Sequence, residues 1–203
     1  MPVLIRTPGN PHGGAVARRG RLPHFAVLMF LALLGVAVDP AAGASRATRE
    51  YDLKAAFLYN FAQFVEWPAD AFESPDAPFV FGIVGTDPFG NSLDQIVAGE
   101  TVHGHPIVVR RWATTEEMGP AHVLFISRAQ AARLGNLASL VDSRSVLTVG
   151  DGNDFATRGG IIGFVVVGNH VRLVINVARA RAANLTISSQ LLRQSQLVEA
   201  SAP

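Results

Sequence analysis

Residues 146–180 read VLTVGDGNDFATRGGIIGFVVVGNHVRLVINVARA, and this stretch decides the fold. Val146 to Val149 is short, apolar and rich in branched residues, as strands are. Ile161 to Val167 is a run without a charge, too short for a buried helix and too apolar for an exposed strand. It is expected to be a central strand covered on both faces. Val171 to Ile175 follows after Gly168-Asn169-His170, a connection able to take positive φ, so the two runs predict a β-hairpin. The rest of the chain must then supply the cover.

Upstream, strand and helix patterns alternate. Arg49 to Glu66 carries Leu53, Phe57, Phe61, Phe64 and Val65 mostly three or four apart, an amphipathic helix stopped at Trp67-Pro68. Ala69 to Pro78 reads as loop. Phe79–Val84, Ile107–Val109 and Val123–Ile126 read as strands, and Phe89–Ala98 and Arg128–Leu140 as helices, with Ser127 as an N-cap. Ala178–Asn184 and Ser188–Val198 are expected to close the chain as helices. The expected fold class is therefore α/β: a single domain with a mixed, mostly parallel sheet flanked by helices, a C-terminal β-hairpin and closing helices.

The first 44 residues have a different character. Arg6, Arg18, Arg19 and Arg21 precede the apolar run Phe25–Val38, and Ala42-Gly43-Ala44 follows, the order of a secretory signal peptide cut between Ala44 and Ser45. The run falls short of the roughly 20 residues that span a bilayer, which disfavours an uncleaved anchor. Without this segment's four arginines and Asp39, 13 basic and 15 acidic residues remain in residues 45–203, a net charge of −2. Such scattered charge gives no footprint for nucleic acid. With no cysteine, neither a disulfide framework nor lipid attachment through a thiol is open to the chain.

Several local motifs weaken on inspection. Gly82-Ile83-Val84-Gly85 lacks the glycine spacing of a dinucleotide loop, and Asp87-Pro88 behind it suits a helix start instead. His103-Gly104-His105 has metal-ligand spacing, but a third ligand would have to come from His122 or His170, and an exposed loop pair is the simpler reading. Asp151-Gly152-Asn153-Asp154 opens like a calcium loop, yet Ala156 and Ile162 occupy the positions that need Gly and Glu. There is no G-x-S-x-G, no HExxH and no nucleophile beside a base, and Glu116-Glu117 lie in a polar segment. No enzyme activity, cofactor or metal is expected. Arg158-Gly159-Gly160 permits close approach of another chain, and Phe155 is either an exposed contact or part of the core.

Five segments together resemble the YfiR-like family of exported proteins: Lys54–Pro68, Phe81–Gly90, His122–Arg128, Val146–Phe164 and Val171–Leu192, in the family's order. The resemblance implies a periplasmic, non-catalytic regulator with an α/β sandwich that forms a homodimer. It implies binding to the periplasmic domain of an inner-membrane diguanylate cyclase, or of a sensor kinase, with relief by an outer-membrane-associated lipoprotein. Phe155, Arg158, Ile175 and Gln190 are the candidate partner or ligand contacts, all but Arg158 through the resemblance. Two departures stand out. Ala121 occupies a place where the family often has cysteine, which removes redox control, and Gln63 stands where a basic residue is common. The competing expectation is a small-molecule-binding module with its pocket at the carboxyl ends of the parallel strands, near Gly85–Pro88, Ser127-Arg128 and Asp151–Phe155.

Overall fold

The segment that opens the domain is a long helix whose apolar face fixes the position of everything above it. The computed structural model describes residues 43–141, 144–168 and 170–198, and helix α1 runs from Gly43 to Phe64. Ala55, Leu58, Phe61 and Ala62 on α1 are buried. The expected signal segment lies outside the described residues, apart from Gly43 and Ala44, which fall in the backbone of α1. Val65-Glu66 does not continue the helix. It forms β1, paired with β9 (Thr186–Ile187) in a small antiparallel ladder.

The main sheet comprises β2 (Phe79–Val84), β3 (Thr101–Val102), β4 (His105–Trp112), β5 (Val123–Ile126), β6 (Leu147–Asp151), β7 (Ile162–Val167), β8 (His170–Asn176) and β10 (Gln196–Val198). Its order is β10-β8-β7-β6-β5-β2-β4-β3. Strands β4, β2, β5, β6 and β7 are parallel, so their carboxyl ends share one edge. The β7–β8 hairpin is antiparallel with Val167 opposite His170, and Gly168 takes φ 61 in the turn. The α/β class, the parallel core and the hairpin are as the sequence predicts.

Alternate strand residues feed two cores, because successive side chains point to opposite faces. On one face Phe79, Phe81, Ile83, Phe125, Val149, Phe164 and Ile175 pack with α1, α2 (Ser92–Val97), α4 (Val177–Ala182) and α5 (Ser189–Arg193). On the other, Val84, Leu124 and Ile126 pack with Ala131 of α3 (Arg128–Arg133), Leu137, Val141 and Phe155. Helices therefore cover both faces of the sheet.

Four further expectations need correction. Strand β7 is covered only over its first half, since Val166 and Val167 are 43% and 51% exposed where the hairpin projects past the sheet. Helix α2 starts at Ser92 rather than behind Asp87. The Asp87 carboxylate accepts from the Phe89 N–H and pairs with Arg111, leaving Asn91 at the cap. The helix expected over Arg128–Leu140 ends at Arg133, and a 3-10 turn follows at Ala138–Val141. The last helix also stops early, at Arg193. Gln196–Val198 joins the sheet parallel to β8, where it satisfies the backbone groups on the open flank of that strand.

Candidate functional site

The parallel strands change direction of exit at one point. The connection leaving β2 crosses to β4 through α2 on one face, and the connection leaving β5 crosses to β6 through α3 on the other. In open α/β sheets the crevice outside the carboxyl ends at such a reversal is where ligands sit. Here it is closed tightly. Gly85, at φ 87, ends β2 against Ser127, and a Cβ on Gly85 would come 2.2 Å from Ser127 Oγ. Ser127 does cap α3, accepting from the Gln130 N–H at 3.3 Å.

Above this point lies a charged cluster that pattern reading passed over. Lys54, on α1 and 2% exposed, donates to Glu50 Oε1 at 2.5 Å and to Asp151 Oδ1 at 2.6 Å. The Tyr51 hydroxyl donates to Asp151 Oδ2 at 2.9 Å. Lys54 Nζ also lies 4.4 Å from the centre of the Tyr51 ring and 5.6 Å from that of Phe164. Burial holds the Tyr51 phenol well above its ordinary range, with the Asp151 charge and hydrogen bond acting in the same sense and Arg128 opposing them. Tyr51 meets Phe89 edge-on, and Phe89 meets Phe125 likewise, so an aromatic row runs from the cluster into the sheet.

A second ionic group flanks the first. Arg111, near the end of β4, bridges Asp87 at 2.7 Å and Asp94, and donates to the Gly90 carbonyl. The guanidinium holds the Asp94 carboxyl below its usual range. These groups fix the β2–α2 loop to β4. On the opposite edge, the Tyr59 hydroxyl on α1 donates to Glu100 at 2.9 Å, and burial followed by that bond pushes the phenol up to about 12.

The four candidate contacts fall in different places. Phe155 is 1% exposed, its ring seated where Cβ atoms on Gly150 and Gly160 would lie only 2.3 and 2.2 Å from it. Of the two readings of Phe155, the core reading is the one its burial supports. Arg158 is partly exposed, and its guanidinium donates to the carbonyls of Ala131 and Leu134, tying off the end of α3. Ile175 is fully buried in β8, opposite Ile162. Gln190 is half-buried in α5. They do not form one surface. Gln63, the other position of interest, donates to the Thr101 carbonyl at 3.0 Å.

His105 and His122 serve the loop between β1 and β2, and His103 serves β1 itself. His105 Nδ1 lies 2.7 Å from the Ala77 carbonyl, His122 Nε2 3.1 Å from that of Ala71, and His103 Nε2 3.3 Å from that of Val65. Among the described residues no three His, Asp or Glu are grouped to hold a metal, and no helix is long and apolar enough to cross a membrane.

Lys54 and Asp151 could have been flagged. Lys54 is the only lysine in the chain and sits among apolar residues of an amphipathic helix. Asp151 belongs to the failed calcium-loop pattern and to the expected pocket rim, and nothing in the sequence pairs two residues 97 positions apart.

A solved structure with a related shape is an ABC domain in complex with L-Trp from Streptococcus pneumonia. It is 12% identical, covers 59% of this chain and 55% of its own, and superposes with a TM-score of 0.44. The chain thus spans about half the length of that protein. No curated protein matches. Residues 51–196 match the YfiR/HmsC-like family, from the helix that carries Lys54 to the first residue of the last strand. The chain belongs to the YfiR/HmsC-like family.

Proposed function

We propose that this chain is a periplasmic regulator that binds the periplasmic domain of an inner-membrane diguanylate cyclase and holds the cyclase inactive. The observation that carries the reading is family membership over residues 51–196, a family of regulators and not of catalysts. In support, the buried ionic groups are already satisfied by one another. Repression needs the regulator to prefer one state of the cyclase, and a hundredfold preference corresponds to about 2.7 kcal/mol of coupling. A homodimer, and sequestration by an outer-membrane-associated lipoprotein, belong to the same proposal, with Arg158 and Gln190 the candidate contacts that reach solvent.

The test is capture of membrane proteins by the tagged full-length chain from solubilised membranes, with the retained proteins identified. A diguanylate cyclase is the expected product, and a sensor kinase would move the target to that receptor class. Unchanged cyclic-di-GMP after deletion of the gene would sink the cyclase version.

A second reading rests on the cluster of Lys54, Tyr51 and Asp151 at the strand-order reversal. A small polar ligand, such as an amino acid, would have to open this buried cluster to reach its two signs of charge, and in doing so would tune the protein contact. Calorimetry against a metabolite panel decides it, since no binding below millimolar removes this reading.

A further inference from the structure

The loop from Trp67 to Pro78, which joins β1 to β2, is held down by imidazoles rather than by ion pairs. His122, 7% exposed, precedes β5 and has its backbone locked on both sides: its N–H donates to Val80 O, and its carbonyl accepts from the Leu147 N–H. The ring is equally constrained. Nδ1 accepts from the Val80 N–H at 3.0 Å, which obliges Nε2 to carry the proton that it donates to Ala71 O. Phe72 and Phe79 stack on the ring at 4.5 and 4.8 Å. His105 stacks on Phe72 at 3.9 Å, and its Nδ1 must be the protonated nitrogen facing the Ala77 carbonyl.

Phe72 is thus wedged between two imidazoles, one gripping the loop before it and one after it. The two respond differently to acid. His105 commits only Nδ1, as the donor to Ala77. His122 has no free nitrogen. A proton on Nδ1 would face the Val80 N–H, donor against donor, and place a charge between two phenyl rings with no carboxylate beside it.

We propose that His122 is the catch of an acid-released strap, and that its protonation frees residues 67–78 and uncovers Phe72, Phe79 and Trp67. The groups that face His122 are few. From β4 there is His105, which disfavours a second positive charge, and from β2 only Val80 and Phe79. From the loop, Asp70, Glu73 and Asp76 are exposed. Burial, the largest influence, holds the His122 imidazole below its ordinary value, and the bond to Ala71 opposes it. Trp67 Nε1 is buried without a partner and packs edge-on against Phe79 at 4.9 Å, so packing holds that side chain.

The test follows the imidazole signals and the amide exchange of residues 71–77 in the purified protein, from about pH 7.5 to about pH 5. Corrected for intrinsic exchange, protection of these amides is expected to fall at least about tenfold in step with the His122 titration. His122→Asn keeps an acceptor for Val80 and removes the donor to Ala71, so its loop should be open at both ends of the range without a pH response. His105→Phe should keep the response, with the midpoint moved upward. Loop protection that stays constant while His122 titrates would overturn the proposal, as would the same pH response in His122→Asn. If His122→Asn does not fold, the wild type and His105→Phe decide by the first criterion alone.

Discussion

Replacing Lys54 with Met keeps most of the side-chain volume and deletes one charge from the buried cluster. Asp151 is 9% exposed on its side chain and would keep only the Tyr51 hydroxyl, while Glu50, at 28%, would turn to water. Breaking a buried pair by removing one partner costs about 3–5 kcal/mol, because the remaining charge is left uncompensated. Glu50's freedom to resolvate places the cost toward the lower half of that range. A domain of this length loses roughly 2–4 °C of Tm per kcal/mol, so a fall of about 6–16 °C is expected. Urea unfolding at pH 7 should show a lower midpoint with an unchanged slope. Lys54→Met with Asp151→Leu should recover much of the loss, since both charges are then gone. A single variant within about 1 kcal/mol of wild type would show that Asp151 is well solvated, and the cluster would cease to be a buried ionic site.

Further expectations concern other contacts. Gly150→Ala drives a Cβ into the Phe155 ring, so a loss of about 1–3 kcal/mol is expected, relieved when Phe155 is also changed to Leu; equal losses with and without that change would disprove the socket. Phe155→Ala should cost about 3–5 kcal/mol in urea unfolding, a value an exposed contact residue would not reach. Arg158→Met removes two bonds to carbonyls at the end of α3 and should lower stability by about 1–2 kcal/mol, with faster amide exchange at Leu134 and Leu137 as its signature. Because His122 is held below its ordinary value, the native state binds fewer protons than the unfolded chain. Its contribution to stability is complete above about pH 6.5 and is lost as pH falls through the folded value, so the stability gap between wild type and His122→Asn should narrow in acid.

What the sequence revealed depended on the range of the interaction. Phe79–Val84 and Val123–Ile126 were legible to the residue, because a buried parallel strand is apolar on both faces and says so locally. Ser127 was legible as a cap for the same local reason. Gln196–Val198 was not, since Leu191, Leu192, Leu197 and Val198 fit a helical stripe and only the open flank of β8 makes them a strand. Phe155 stayed ambiguous because its socket is built from Gly150 and Gly160, residues that carry no hydrophobic signal. The charged cluster was out of reach altogether: its partners come from α1 and β6, and charge alone suggests the surface.

The burial of Lys54 has a practical side. It bears the chain's sole ε-amine, and in the folded state that amine is engaged by two carboxylates and shielded from solvent. Amine-directed reagents such as succinimidyl esters and glutaraldehyde will therefore find little on the native domain beyond its N-terminus, and cross-linking with them would miss a genuine partner. The same property makes acylation of Lys54 a readout of opening: a mass shift on the arginine-bounded peptide 50–110 would count the molecules in which α1 has lifted from the sheet.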